Sequence, residues 1–240
     1  IKIDDLSVRT YEGKLLLDSI DLHIRRGETT LICGEPGSGK TILLKAIKGL
    51  IGDGLRAEGS IERRGKIGIV FQEPEKQIVR RRVRSDVAFE LENAALPVEQ
   101  IEERIEEYSS MLEADHLLDR NIDELSHGEV TKVAILSTIV SEPDIILLDE
   151  PLSPLDHRNQ ELVLDCINRL KEEGMTILIA EHDIRDMYEK SDRVILLKKG
   201  HLIDSGRPED MYSELIENGI KLPFEVELKD LREGLHDKSE

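Results

Sequence analysis

Residues 34–41 constrain this chain more than any other stretch; they read Gly-Glu-Pro-Gly-Ser-Gly-Lys-Thr. This is a complete G-x-x-x-x-G-K-T phosphate-binding loop. An apolar run, Thr29 to Cys33, precedes it, and Ile42 to Leu50 follows with apolar residues at helical spacing. Strand, glycine loop and helix are the context in which the motif works. Gly34, Gly37 and Gly39 let the backbone curl so that several N–H groups point at one anion. The next helix aims the positive end of its dipole at the same place. Lys40 is placed to reach the β- and γ-phosphates, and the Thr41 hydroxyl to take a coordination position on Mg2+. Glu35, Pro36, Ser38 and Ile42 complete the expected nucleotide-binding segment. The chain is expected to bind a nucleoside triphosphate.

The strands and helices around this loop imply an α/β fold. Ile1 to Val8 and Leu15 to Ile24 alternate loosely about a turn at Tyr11 to Lys14, which predicts an antiparallel pair. Two more strands are expected at Gly59 to Arg63 and Ile67 to Phe71. From Ser85 to Met111 the period becomes helical, with Val87, Leu91 and Ala95 on one face and a break at Pro97. A helical insert over about 85–141 is therefore expected before the strand Ile145 to Leu148. A helix from about Arg158 to Glu173 and a buried strand, Thr176 to Ala180, come next. Nearly all-apolar strands alternating with helices predict a mostly parallel sheet covered on both faces. The chain divides into a main domain, 1–206, and a small acidic C-terminal extension, 207–240, whose last residues are expected to fray.

Composition narrows the function. A net charge of −18 argues against nucleic-acid binding driven by the whole surface. No apolar run is long enough to span a membrane, and no signal peptide is visible. Cys33 and Cys166 lie in apolar patterns and are expected to be buried thiols. The first residue is Ile1, which reads as a chain trimmed, processed or cut from something longer.

Further candidates follow in order. Asp149 and Glu150 end an apolar strand at the carboxyl edge, where ligands bind in open α/β sheets. Asp149 is suited to holding Mg2+ through its water shell, and Glu150 to polarising an attacking water. Gln72 directly follows a strand, where its amide could meet Mg2+ or that water. Ser126 and Glu129, in Leu-Ser-His-Gly-Glu, form an S-x-x-E capping box. His182 ends the strand after the acidic pair.

These motifs together resemble the ATP-binding-cassette (ABC) ATPases over nearly the whole chain. Gly34 to Thr41 matches Walker A, Gln72 the Q-loop, Leu125 to Glu129 the signature, and Ile145 to Glu150 Walker B. Ser153 to Asp156 is similar to the D-loop, His182 to the switch histidine, and Tyr11 to the aromatic that stacks on adenine. Phe71 to Val79, Asp86 to Asn93 and Gly206 to Asp210 further resemble the ATPase subunits of energy-coupling-factor importers for vitamins or cobalt and nickel ions. The resemblance implies ATP with Mg2+ as ligands, with Thr41, Gln72 and Asp149 on the metal and Glu150, His182 and Gln72 in catalysis. It also implies two ATPase subunits, homo- or heterodimeric, facing each other. Ser126 and Gly128 of one, beside its Asp156, would then meet the nucleotide held by the other. A transmembrane subunit would dock on Gln72 to Arg84, with the ATPase peripheral on the cytoplasmic side of the membrane.

The signature departs from the family's usual Leu-Ser-Gly-Gly-Gln. His127 adds bulk and Glu129 a negative charge, so slow hydrolysis, a preference for a different partner, or a non-hydrolysing regulatory role stay open. A soluble ABC ATPase of repair or translation is the other alternative. Only about fifty residues separate Gln72 from Leu125, with Pro97 between them, which leaves no room for a repair-type coiled coil. Translation-type members carry two cassettes, and this chain holds one.

Overall fold

The computed structural model describes residues 1–52 and 54–226. β1 (Lys2–Thr10) and β2 (Leu15–His23) form an antiparallel hairpin, closed by the Thr10 N–H donating to the Lys14 carbonyl at 2.9 Å. β3 (Thr29–Cys33) leads through the phosphate loop into α1 (Lys40–Lys48). β4 (Leu55–Glu62) returns to pair antiparallel with β1, giving a three-stranded sheet in the order β2-β1-β4. It begins four residues before the strand expected at Gly59. As an edge strand with five consecutive exposed positions, Arg56 to Ser60, it offers no apolar alternation to read.

The second sheet carries the site. β5 (Ile67–Val70) is followed by the helices of the insert: α2 (Val83–Asn93), α3 (Val98–Met111) and α4 (His127–Ile139). Then come β6 (Ile145–Asp149), α5 (His157–Glu172), β7 (Thr176–Ala180), β8 (Arg193–Lys198), β9 (His201–Gly206) and α6 (Tyr212–Glu217). The six strands order as β5-β6-β7-β3-β8-β9, parallel except for the last pair. The chain thus has a mostly parallel phosphate-loop core, an antiparallel sheet and a helical insert.

Strand side chains alternate between two cores. Ile32, Ile145, Leu147 and Leu178 pack with Leu43, Leu44 and Ile47 of α1 and with the β1–β2 hairpin. Leu31, Cys33, Ile146, Leu148 and Ile179 pack on the other face with α2 to α5. Covered on both sides, these strands have no polar face, which is why they read as unbroken apolar runs. Both cysteines are buried, and burial pushes each thiol up to about 12.

Two details of the helices differ from expectation. α2 ends at Asn93, so Ala95 lies in a left-handed turn (φ 55°) in solvent, and Leu96 packs on the core in its place. The helix breaks before Pro97 because the residue preceding a proline is pushed away from helical geometry. Beyond β9, Met211, Leu215, Ile220 and Leu222 are buried in the same core as the strands. The fraying expected at the chain's end falls on 227–240, outside the described residues.

Candidate nucleotide site

The loop between β3 and α1 closes over itself. Gly34 has φ +148°, and a Cβ there would lie 2.2 Å from the Leu197 carbonyl oxygen, so no side chain fits. At Gly39 (φ +112°) a Cβ would lie 2.7 Å from Leu17 Cδ2. The loop is therefore wedged between β8 and β2, and the Gly200 N–H donates to the Ser38 carbonyl at 2.9 Å. Lys40 is only 5% exposed, and its Nζ donates to the Gly34 carbonyl at 2.8 Å and the Glu35 carbonyl at 3.4 Å. The ammonium is stretched across the loop. Ser38 Oγ is buried without a hydrogen-bond partner.

Two side-chain bonds join the loop to the sheet's carboxyl edge. Thr41 Oγ1 donates to Asp149 Oδ1 at 3.1 Å, and Gln72 Nε2 donates to Glu150 Oε2 at 2.8 Å. Asp149 is 2% exposed; burial pushes its carboxyl up, the Thr41 bond opposes this, and the Glu150 charge adds to it. Glu150 itself sits at φ 51° with its N–H on the Ala180 carbonyl at 2.9 Å. A left-handed glutamate costs on the order of 1 kcal/mol, and such strain gathers where a side chain must be aimed. Pro36, Gly37, Gly39, Lys40, Thr41, Ile42, Gln72 and Glu150 line one cleft of about 550 Å³.

Other candidates lie apart from this cleft. Ser126 caps α4, its N–H donating to Glu129 Oε2 at 2.7 Å while the Glu129 N–H donates back to Ser126 Oγ at 3.3 Å. Gly128 lies against the loop before α5; a Cβ there would be 3.3 Å from the Pro154 carbonyl oxygen. Asp156 caps α5 through the Asn159 N–H at 2.9 Å. His182 follows β7 by two residues, its Nδ1 3.9 Å from Glu181 Oε2. Tyr11, at the hairpin tip, is 61% exposed, with the Arg56 guanidinium 4.9 Å from its ring centroid. It is not among the residues lining the cleft.

Sequence reasoning missed three groups. Lys14, Leu16 and Lys199 line the cleft, brought there only by the tertiary contact of the hairpin and the β8–β9 turn with the loop. Arg120 donates to Glu129 Oε1 at 2.9 Å. Glu129 thus carries no free charge at the helix start, and its carboxyl is held low by the Ser126 N–H and by Arg120. Glu181 is 2% exposed, and its one visible signal was a carboxylate closing an apolar strand without an adjacent cation.

Residues 17–153, more than half of the chain, match the ABC transporter family. The chain belongs to that family. It is 37% identical to the energy-coupling factor transporter ATP-binding protein EcfA1 of Bacillus licheniformis, over 95% of this chain and 86% of that protein. EcfA1 of Bacillus subtilis is also 37% identical, over 96% and 88%. Among solved structures, cbiO1 from Clostridium perfringens, part of the ABC transporter complex cbiONQ, superposes with a TM-score of 0.75 at 31% identity, covering 89% of this chain and 90% of that one. The dimeric MJ0796 cassette, in a post-hydrolysis state bound to ADP and Pi, superposes with a TM-score of 0.77 at 27% identity over 86% and 98%.

Proposed function

We propose that this chain is the ATP-binding and ATP-hydrolysing subunit of an energy-coupling-factor type importer. It would work as one of two facing ATPase subunits on the cytoplasmic side of a membrane complex. The observation that carries this reading is the pair of bonds Thr41–Asp149 and Gln72–Glu150, which draw three separate loops into one cleft. The names of its relatives support the transporter class.

ATP enters with its phosphates on the 34–41 loop. Lys40 turns from the Gly34 and Glu35 carbonyls to the phosphate oxygens, as a buried ammonium does when a stronger acceptor arrives. Mg2+ suits the donors present: Thr41 Oγ1 and Asp149 Oδ1 are hard oxygens 3.1 Å apart, with the Gln72 amide nearby through Glu150. No cluster of three acidic, histidine or cysteine ligands exists among the described residues. An ion that keeps water and phosphate oxygens in its shell needs no such cage. Bound there, it would supply charge neutralisation at the β- and γ-phosphates.

Glu150 is the base for the attacking water, aimed by its left-handed backbone and held by Gln72 until substrate arrives. His182 donates to the γ-phosphate. Ser126 and the Gly128 N–H, at the start of α4, meet the γ-phosphate of the facing subunit as a helix N-terminal anion site. Tyr11 stacks on adenine. Gln72 to Arg84 receives the membrane subunit, so a push there reaches Glu150 through the Gln72 amide. Among the described residues no helix is long and apolar enough to cross a membrane.

The test is ATP turnover by the purified chain, alone and with co-purified membrane subunits, set against Glu150→Gln. Turnover that vanishes in the variant while ATP still binds supports the reading. Undiminished turnover overturns it.

A further inference from the structure

The turn between β8 and β9 has no part in the steps above. The two strands pair up to Lys198 and His201, so the connection is only Lys199 and Gly200. Both have positive φ, 50° and 86°, as the twist of a two-residue hairpin turn requires. Gly200 is the residue such a turn favours in its second place. The first place favours Asn, Asp or Gly, and a lysine held in the left-handed region is strained there. A local rule broken in this way marks a position where the side chain serves something other than the turn.

The turn is fixed to the phosphate loop. The Gly200 N–H donates to the Ser38 carbonyl at 2.9 Å, and the Gly200 carbonyl accepts from the Asp18 N–H at 2.9 Å. A Cβ at Gly200 would lie 2.7 Å from the Leu16 carbonyl oxygen, so the turn lies directly on β2. Lys199 thus stands on a backbone bonded to both, and it lines the cleft together with Lys14 of the β1–β2 turn. Lys14 is held in its turn by the Thr10 N–H on its carbonyl at 2.9 Å and by its own N–H on Thr10 Oγ1 at 3.1 Å. Among the described residues neither ammonium has a hydrogen bond or an ion pair. The residues lining the cleft include three lysines, Lys14, Lys40 and Lys199, and one carboxylate, Glu150. The whole chain carries a net charge of −18. An excess of cations gathered at one concave site of an acidic chain focuses the field there for an anion.

We propose that Lys199 and Lys14 are further nucleotide-binding residues, two cations that take the phosphate-chain oxygens of ATP left uncovered by the 34–41 loop. The loop and Lys40 grip the chain from one side, and oxygens facing the cleft's opening meet the two free ammonium groups. The strain at Lys199 then has a reason, since Asn or Gly would suit the turn and forfeit the charge. An ammonium is a point charge with no fixed fork of donors, so it recognises the phosphates and not the base. The inference rests on the reading of this cleft as the ATP site.

The test is the Kd of a fluorescent ATP analogue for the full chain, in the Glu150→Gln background so that hydrolysis does not intervene. Lys199→Asn keeps the turn chemistry and removes the charge. It should weaken binding by roughly threefold to tenfold, the range of a charged hydrogen bond partly screened by solvent. Lys199→Arg keeps the cation and should hold Kd within about twofold. Lys14→Ala should weaken binding by a similar factor, and the two losses should multiply in the double variant because the lysines stand on separate turns. The matching GTP analogue should lose as much as the ATP analogue in each variant. Added KCl should weaken the wild type more steeply than either variant. The melting temperature of Lys199→Asn without nucleotide should not fall, because asparagine tolerates the left-handed position, so weaker binding will not trace to a damaged fold. Unchanged affinity in both Lys199→Asn and Lys14→Ala would overturn the inference, as would a Lys199→Arg variant as weak as Lys199→Asn. Lys40→Ala binding ATP as tightly as wild type would instead overturn the cleft itself as the nucleotide site.

Discussion

The two halves of the expected ATP site are built in different ways. On the phosphate-loop side the polar groups are inside the protein: Lys40, Asp149 and Glu181 are all at most 5% exposed. Lys40 is held by carbonyls of its own loop, Asp149 by Thr41 of α1, and Glu181 by the Ile32 carbonyl of β3, so the core of the sheet sets their positions. On the signature side Ser126, His127 and Glu129 lie at the surface at the start of α4, with Glu129 paired to Arg120 and His127 to Glu75. A buried constellation is preorganised before ligand arrives. A surface one draws little stability from its own pairs and awaits a partner. Substitutions should therefore act strongly and through chemistry on the first side, weakly and through association on the second.

The largest effect is expected at Glu150. Glu150→Gln keeps the size of the side chain and removes the proposed base, so turnover should fall by roughly a hundredfold or more, the range of a positioned acid–base group. ATP affinity should stay nearly intact, and the variant should collect as an ATP-bound dimer on size exclusion. Near wild-type turnover would erase the contrast between the two sides.

Next is the pH dependence of stability from Glu181. Its folded pKa, about 8, is above the ordinary carboxylate value, so the folded chain holds this proton more tightly than the unfolded chain. Stability from this group is complete below the unfolded value near pH 4.5 and is lost as pH rises toward 8. Glu181→Gln cannot ionise. Its Tm relative to wild type should therefore rise from pH 5 to pH 9 by roughly 5 °C or more for a chain of this size, without nucleotide. A pH-independent difference would mean that Glu181 is relieved by neighbours this reading overlooks.

What the sequence made legible follows the same division. The phosphate loop, Asp149 and Glu150 were readable because their chemistry demands fixed residue types beside apolar strands. Such strands have no polar face to blur them. β4 was misjudged at its start because an edge strand lacks that contrast. Glu181 and the Arg120–Glu129 pair escaped because each depends on a contact between residues distant or differently oriented in the chain. Arg120 cancels the charge that made Glu129 look harmful, and nothing in a nine-residue spacing announces that pairing.

A middling effect is expected at Tyr11, which belongs to the cleft side by proposed role but to the surface by exposure. Tyr11→Ala should weaken ATP by about 1 kcal/mol through lost stacking, with little change in the preference for ATP over GTP. Arg56 already covers one ring face, so a base has the other. Unchanged affinity would make Tyr11 a hairpin residue and nothing more. Arg120→Met should be milder still. The pair it breaks is more than a third exposed on the arginine side, so after screening about 0.5 kcal/mol is at stake. ATP-driven dimerisation in the Glu150→Gln background should weaken about twofold.

The smallest expected effect is at His127, and it asks whether this residue senses the phosphate or its own chain. Its Nδ1 lies 2.5 Å from Glu75 Oε1, on the segment proposed to meet the membrane subunit. Partial burial pushes the Glu75 carboxyl up, but a backbone hydrogen bond and His127 outweigh it and hold the carboxyl below its ordinary value. Glu75 is thus held as an anion beside the ring, and the pair fixes the start of α4 beside 74–77. Both side chains are about half exposed, so the attraction is worth only a few tenths of a kcal/mol. Dimer fraction at saturating ATP, in the Glu150→Gln background, should therefore change by less than about twofold in Glu75→Gln. His127→Gly should have as small an effect, with no further change when the two are combined. If the imidazole faces the γ-phosphate of the partner instead, Glu75→Gln will leave the dimer fraction in place while His127→Gly still changes it. The signature side would then be as directly chemical as the phosphate-loop side.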